Sequence, residues 1–121
     1  MADTAKWEQS AAYFIDTHTL VDAFVKNSGL GFTIPYFHNG QDHDYVPDFI
    51  IRLKTEPPMH LILEVKGYDE LQEVKAHAAQ KWVEAVNADR TYGRWAYVVA
   101  KKPADVRQLI ADAAIKGSQS N

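Results

Sequence analysis

Two short apolar runs constrain this chain most: Val46-Pro47-Asp48-Phe49-Ile50-Ile51 and Leu61-Ile62-Leu63-Glu64-Val65-Lys66-Gly67. Their β-branched and aromatic composition predicts strands. Each nevertheless carries charge within, or at the end of, a segment built for burial. A poorly compensated ionised group there costs on the order of several kcal/mol. Alternation along a strand puts Glu64 and Lys66 on one face and Val65 on the other. If a hairpin pairs the two runs, Asp48 lies beside Glu64. Two carboxylates and one ammonium are then expected within a few ångströms of each other.

The pattern around these runs predicts the rest of the fold. Trp7, Ala11, Phe14 and Ile15 at helical spacing predict a helix over residues 5–16. Thr19 followed by Asp22 has the form of a capping box, which predicts a second short helix to about Asn27. Ser28-Gly29-Leu30-Gly31 then stops it. Phe32 to Phe37 reads as a strand, His38 to Gln41 as a turn, and Asp44 to Leu53 as one continuous strand. Thr55-Glu56-Pro57-Pro58 breaks the chain before a strand from Met59 to Val65.

Residues 69–88 form a helix by pattern, with Leu71, Val74, Ala78, Trp82 and Ala85 on its apolar stripe. Its polar stripe holds Glu73, His77, Gln80, Glu84 and Asn87. Tyr92-Gly93 marks a turn, Trp95 to Ala100 a fourth strand, and Pro103 to Ile115 a last helix with Pro near its start. The order α(α)βββαβα places the chain in the α/β (α+β) class. It implies a three-strand antiparallel meander, a crossover helix and a fourth strand parallel to the third: a mixed four-stranded sheet flanked by helices. At 121 residues, without repeat or linker, residues 1–121 are expected to be one domain.

Charge and composition limit the partners. The formal net charge of −3 argues against gripping nucleic acid by bulk positive charge, so affinity for DNA would come largely from a partner or a larger polypeptide. Without cysteine, disulfides and thiolate metal sites are excluded. No apolar run approaches the roughly 18 residues of a membrane span, and the first residues lack the apolar core of a signal peptide. A cytoplasmic chain with no membrane partner is the expectation.

The grouped charges suit phosphodiester hydrolysis. Two carboxylates can hold Mg²⁺, a hard cation that takes oxygen ligands and keeps several waters. The ion polarises the phosphate and activates a water. A lysine held beside two carboxylates is a cation, suited to stabilising charge on phosphate oxygens rather than to general-base work. Gly67 would let a phosphate backbone approach. Glu-x-Lys alone is common on exposed strands, and Pro-Asp at a strand start is equally ordinary. Their conjunction one short hairpin apart, in apolar strands between helices, is far more specific.

In these motifs the chain resembles the PD-(D/E)xK nuclease superfamily, and more closely the C-terminal endonuclease domain of type III restriction enzyme Res subunits. The similar stretches are residues 7–13, 25–27, 30–36, 45–53, 61–67, 82–87 and 92–97, which together cover most of 7–97. The resemblance implies a restriction-endonuclease-like αβββαβ core. It implies a catalytic centre of Asp48, Glu64 and Lys66 that hydrolyses double-stranded DNA with Mg²⁺, Mn²⁺ serving as substitute. Asp48 and Glu64 would ligate the metal, with the backbone carbonyl of Val65 as a candidate third ligand. Glu8, on the first helix, matches a glutamate that in many members completes the acidic cluster. Related nucleases often carry Gln with Tyr four residues later, whereas Gln80 here is followed by Glu84, which weakens Gln80 as a candidate.

In type III systems the domain follows a helicase-like ATPase motor and works with a DNA-methylating modification subunit. The phosphate loop of such a motor, Gly-x4-Gly-Lys-Ser/Thr, is absent from these residues. The expectation is a domain of a larger Res subunit or a stand-alone relative. Two rival readings are a catalytically silent DNA-positioning or protein-docking module of the same fold, and a stand-alone repair or resolvase-like nuclease. Three further groups have a functional and a plain reading. His38, His43, Asp44 and Asp48 suggest a transition-metal site, but a polar hairpin turn is favoured. Trp7, Trp82 and Trp95 suggest base-stacking platforms, but core packing is favoured for Trp82 and Trp95. Lys75, Lys81 and Arg94 are scattered cations, and His77 belongs to a solvated face.

Overall fold

The computed structural model describes residues 4–27, 30–55, 58–65, 71–89 and 91–118. In chain order these form α1 (Thr4–Asp16), β1 (Val21–Lys26), β2 (Ile34–His38), β3 (Gln41–Tyr45), β4 (Phe49–Leu53), β5 (Met59–Val65), α2 (Gln72–Asp89) and β6 (Arg94–Ala100). A 3-10 turn at Pro103–Asp105 then leads into α3 (Val106–Ser118). Four strands make a mixed sheet in the order β1-β4-β5-β6, antiparallel except for the β5–β6 pair. β2 and β3 form a separate two-stranded hairpin.

The α+β class, the mixed four-stranded sheet and the parallel pairing of β5 with β6 agree with the pattern. The membership of the sheet does not. Residues 19–27 do not form a second helix. Val21 to Lys26 is an edge strand, antiparallel to β4. Strand formation gives this β-branched and aromatic segment backbone partners along β4 and lets Phe24 pack on Phe49, with ring centroids 6.2 Å apart. Asp22 is no capping residue. It sits at a register shift between Val21 and Ala23 and reaches Arg52, Nε to Oδ2 2.7 Å. Thr17 ends α1, its hydroxyl donating to the Tyr13 carbonyl at 2.8 Å.

The stretch Asp44 to Leu53 is also not one strand. It breaks at 46–48, between β3 and β4. Pro47 has no N–H to give to a ladder, so the chain turns there from the hairpin into the sheet. Asn27, 1 % exposed, clamps the break. Its Nδ2 donates to the carbonyls of Pro47 (2.9 Å) and Phe32 (2.8 Å), and its backbone N–H donates to the Asp48 carbonyl (2.9 Å).

Strand alternation divides the interior into two layers. Phe49, Ile51, Leu53, Leu61, Leu63 and Val65 face α1 and α3, where Ala11, Ile15, Val106 and Ile110 complete a buried core. Ile62 faces the other way, against Ala79 and Val83 of α2 and against Ile34 and Tyr45 of the hairpin. On α2, Ala85 is exposed rather than part of the apolar stripe. Asn87, expected on the polar stripe, is half-buried and grips the start of β6. It donates to the Trp95 carbonyl at 2.9 Å and accepts from the Trp95 N–H at 2.8 Å. No helix of the described residues is long and apolar enough to cross a membrane.

Candidate active site

Asp48 sits at the elbow before β4, and Glu64 is the penultimate residue of β5. The β4–β5 ladder pairs Phe49 with Leu63 and Ile50 with Ile62. One step further in the same register sets Asp48 opposite Glu64, and alternation turns both side chains toward the α2 and hairpin layer. Asp48 is held by the neighbouring strand: its Oδ2 accepts the Val65 N–H at 2.9 Å. Glu64 is 2 % exposed, which is rare for a glutamate. The antiparallel β4–β5 pairing expected from the sequence is present, and its register brings the backbone positions of the two carboxylates opposite each other.

The other site expectations fare differently. Lys66 and Gly67 lie outside the described residues. Val65, 5 % exposed, is the last residue of β5 and pairs with Ala100 of β6. Glu8 reaches Lys26, Oε1 to Nζ 3.4 Å, and Lys26 is the register partner of Phe49, whose ring faces α1. Glu8 is therefore on the α1 side of the sheet. Among the described residues no three His, Asp or Glu side chains gather closely enough to hold a metal ion. That count covers the His38, His43, Asp44 and Asp48 set. His43 stacks on Tyr36 instead, with centroids 5.1 Å apart and planes 18° apart. Gln80 lines a groove over β6 with Asn87 and Arg94.

Gln72 belongs to a polar chain that the sequence did not disclose. Its Nε2 donates to the Tyr97 hydroxyl at 3.4 Å, and the Tyr97 and Tyr45 hydroxyls are 2.9 Å apart. The Glu64 charge acts on the Tyr45 phenol. Burial, then the Glu64 charge, pushes the Tyr45 phenol far above its ordinary range, and burial raises Tyr97 too. Both phenols therefore stay protonated. The Lys75 ammonium lies 5.7 Å from the centre of the Tyr45 ring, bringing a cation to the same corner.

Trp82 and Trp95 pack as expected. Their centroids are 5.2 Å apart at 81°, and Trp95 has His60 stacked at 4.7 Å and Phe32 nearly parallel to it at 6.3 Å. The faces of Trp95 are thereby occupied by the protein itself. No protein-family model, curated protein or solved structure matches the chain.

Proposed function

We propose that this chain is a metal-dependent endonuclease domain that hydrolyses DNA phosphodiester bonds at Asp48, Glu64 and Lys66. The observation that carries the reading is the pair of carboxylates on adjacent apolar strands, one held by a backbone N–H and the other almost wholly buried. Two like charges side by side in a low-dielectric setting disfavour each other, and each loses hydration. A divalent cation offsets both costs. Departures of this kind from ordinary sheet composition concentrate at functional sites.

The element order adds support. With the β2–β3 hairpin set aside, the chain runs α1-β1-β4-β5-α2-β6, an αβββαβ order consistent with a restriction-endonuclease-like core. The resemblance in residues 45–53 and 61–67 falls on the elbow and strand that carry the two carboxylates.

Asp48 and Glu64 would hold Mg²⁺, with the Val65 carbonyl as a third protein oxygen, and substrate and water would complete the shell. When bound, the ion supplies Lewis-acid activation of phosphate and water. The Val65 N–H orients Asp48. Lys66, two residues beyond Glu64 in the sequence, would supply positive charge to the phosphate oxygens. In a type III restriction complex the motor and the modification subunit would deliver double-stranded DNA. A net charge of −3 suits a module that leaves the gripping of DNA to its neighbours.

Calorimetric titration with Mn²⁺ tests the site. Wild-type chain is expected to bind, Asp48→Ala and Glu64→Ala to lose binding, and Lys66→Ala to keep it. Equal binding by wild type and both carboxylate variants would put the metal elsewhere and reject the assignment.

A further inference from the structure

β6 is the last strand of the four-stranded sheet, so one of its edges has no neighbouring strand among the described residues. The opposite edge, β1, is blunted by the register shift between Val21 and Ala23, where Asp22 pairs with Arg52. β6 runs in unbroken register with β5 over its whole length and contains no proline. The direction of its backbone groups follows from Asn87. The N–H and C=O of one strand residue point to the same side, and successive residues alternate. The Asn87 side chain accepts the Trp95 N–H at 2.8 Å and donates to the Trp95 carbonyl at 2.9 Å, as a peptide group of an added strand would. Trp95 therefore faces the free edge, and so do Tyr97 and Val99.

α2 lies on one face of the sheet and α3 on the other, and with β6 they line a groove of about 410 Å³. One wall is Gln80, Val83 and Asn87, spaced as one face of α2; the other is Leu109, Asp112 and Lys116, one face of α3. Each wall is about 10 Å long, the length of three extended residues. A second copy of the sheet would bring its own α2 and α3 against these walls, whereas a single extended segment fits between them. Charge selects the segment. Arg94 and Lys116 both line the groove, and neither forms an ion pair among the described residues. The Arg94 Nε is buried with no hydrogen-bond partner there, a donor that needs an acceptor. Asp112 of the same wall already accepts the Gln108 amide at 2.9 Å.

We propose that the β6 edge is a docking site for a short, extended, acidic segment of a partner polypeptide. The segment adds a fifth strand, exchanging backbone hydrogen bonds with Tyr97 and Val99, and sets a carboxylate against Arg94 and Lys116. Val99 is the register partner of Glu64, so the added strand lies one strand away from the candidate active site. The proposal does not depend on the nuclease reading.

The test uses the full chain and fluorescein-labelled peptides in which alternating threonine and valine are flanked by glutamates, with binding read by fluorescence anisotropy. One control peptide carries lysine in place of glutamate, and another carries N-methyl groups along the backbone. The acidic peptide is expected to bind at least about tenfold more tightly than the lysine peptide, and Lys116→Glu, at an exposed position, to narrow that preference. The N-methylated peptide should not bind, and the acidic peptide should slow hydrogen exchange at the Tyr97 and Val99 amides. Failure of the acidic peptide to bind, equal affinity for the acidic and lysine peptides, or binding that leaves β6 exchange unchanged would overturn the proposal. Protection of β6 that rises with protein concentration alone would also overturn it, by assigning the edge to a second copy.

Discussion

Asn27 joins three segments that the sequence keeps apart: the end of β1, the approach to β2 at Phe32, and the elbow at Pro47 and Asp48. Its side chain donates to two carbonyls and accepts the Phe32 N–H at 3.2 Å, all within a nearly inaccessible site. Asn27→Ala leaves those backbone groups without their partner, at a cost of roughly 1–3 kcal/mol per buried group left unsatisfied. Urea denaturation should show a loss in that range or above it. An unchanged midpoint would mean that water replaces the amide. His60 makes a second residue-level prediction. Burial, with the Arg52 guanidinium on the facing strand adding to it, holds the imidazole below its ordinary value of 6.5. The unfolded chain then binds the proton more readily than the folded one. The stability His60 contributes is therefore present above pH 6.5 and lost as pH falls through the lower folded value. Urea midpoints should drop between pH 7 and pH 5, and His60→Phe should flatten that drop. Equal slopes for the two proteins would remove His60 as the cause.

At the scale of elements, the hairpin turn shows how local chemistry sets geometry. Asn39 and Gly40 take φ of 52° and 76°, so both central residues are left-handed, as a type I′ hairpin turn requires. A Cβ on Gly40 would meet nothing within 4 Å, which leaves backbone strain as the only penalty. Gly40→Ala should cost about 1–2 kcal/mol, and thermal melting would record it. A neutral result would show that the turn adjusts. That turn was legible because its two residues are adjacent. β1 was not, because Thr19 and Asp22 satisfy a local helix rule while the strand's stabilisation comes from β4, almost thirty residues away. Propensity is a weak prior against such pairing. Pro47 falls inside the continuous strand expected from Asp44 to Leu53, although its missing N–H marks a break there. What the pattern hid is that the residues before it belong to a different sheet.

For the molecule as a whole, the sequence disclosed what short separations control. β4 and β5 are joined by a short connection, so the meeting of Asp48 with Glu64 followed from hairpin pairing and alternation. The parallel β5–β6 pair followed from the intervening helix. The Tyr45–Tyr97 contact spans 52 residues and three elements, and no periodicity announces it. Glu8 falls on the α1 side of the sheet because β1 inserts Lys26 beside it, a strand the pattern had taken for a helix. Asp48 and Glu64 are proposed to form a metal-dependent hydrolytic site. Its most direct test is nicking of supercoiled plasmid by the purified chain in Mg²⁺ or Mn²⁺, beside Asp48→Asn and Glu64→Gln. Wild type is expected to nick the plasmid, chelation to abolish the nicking, and each variant to lose at least about a hundredfold. Wild-type protein that leaves the plasmid intact with either metal, or variants that nick as well as wild type, would contradict it.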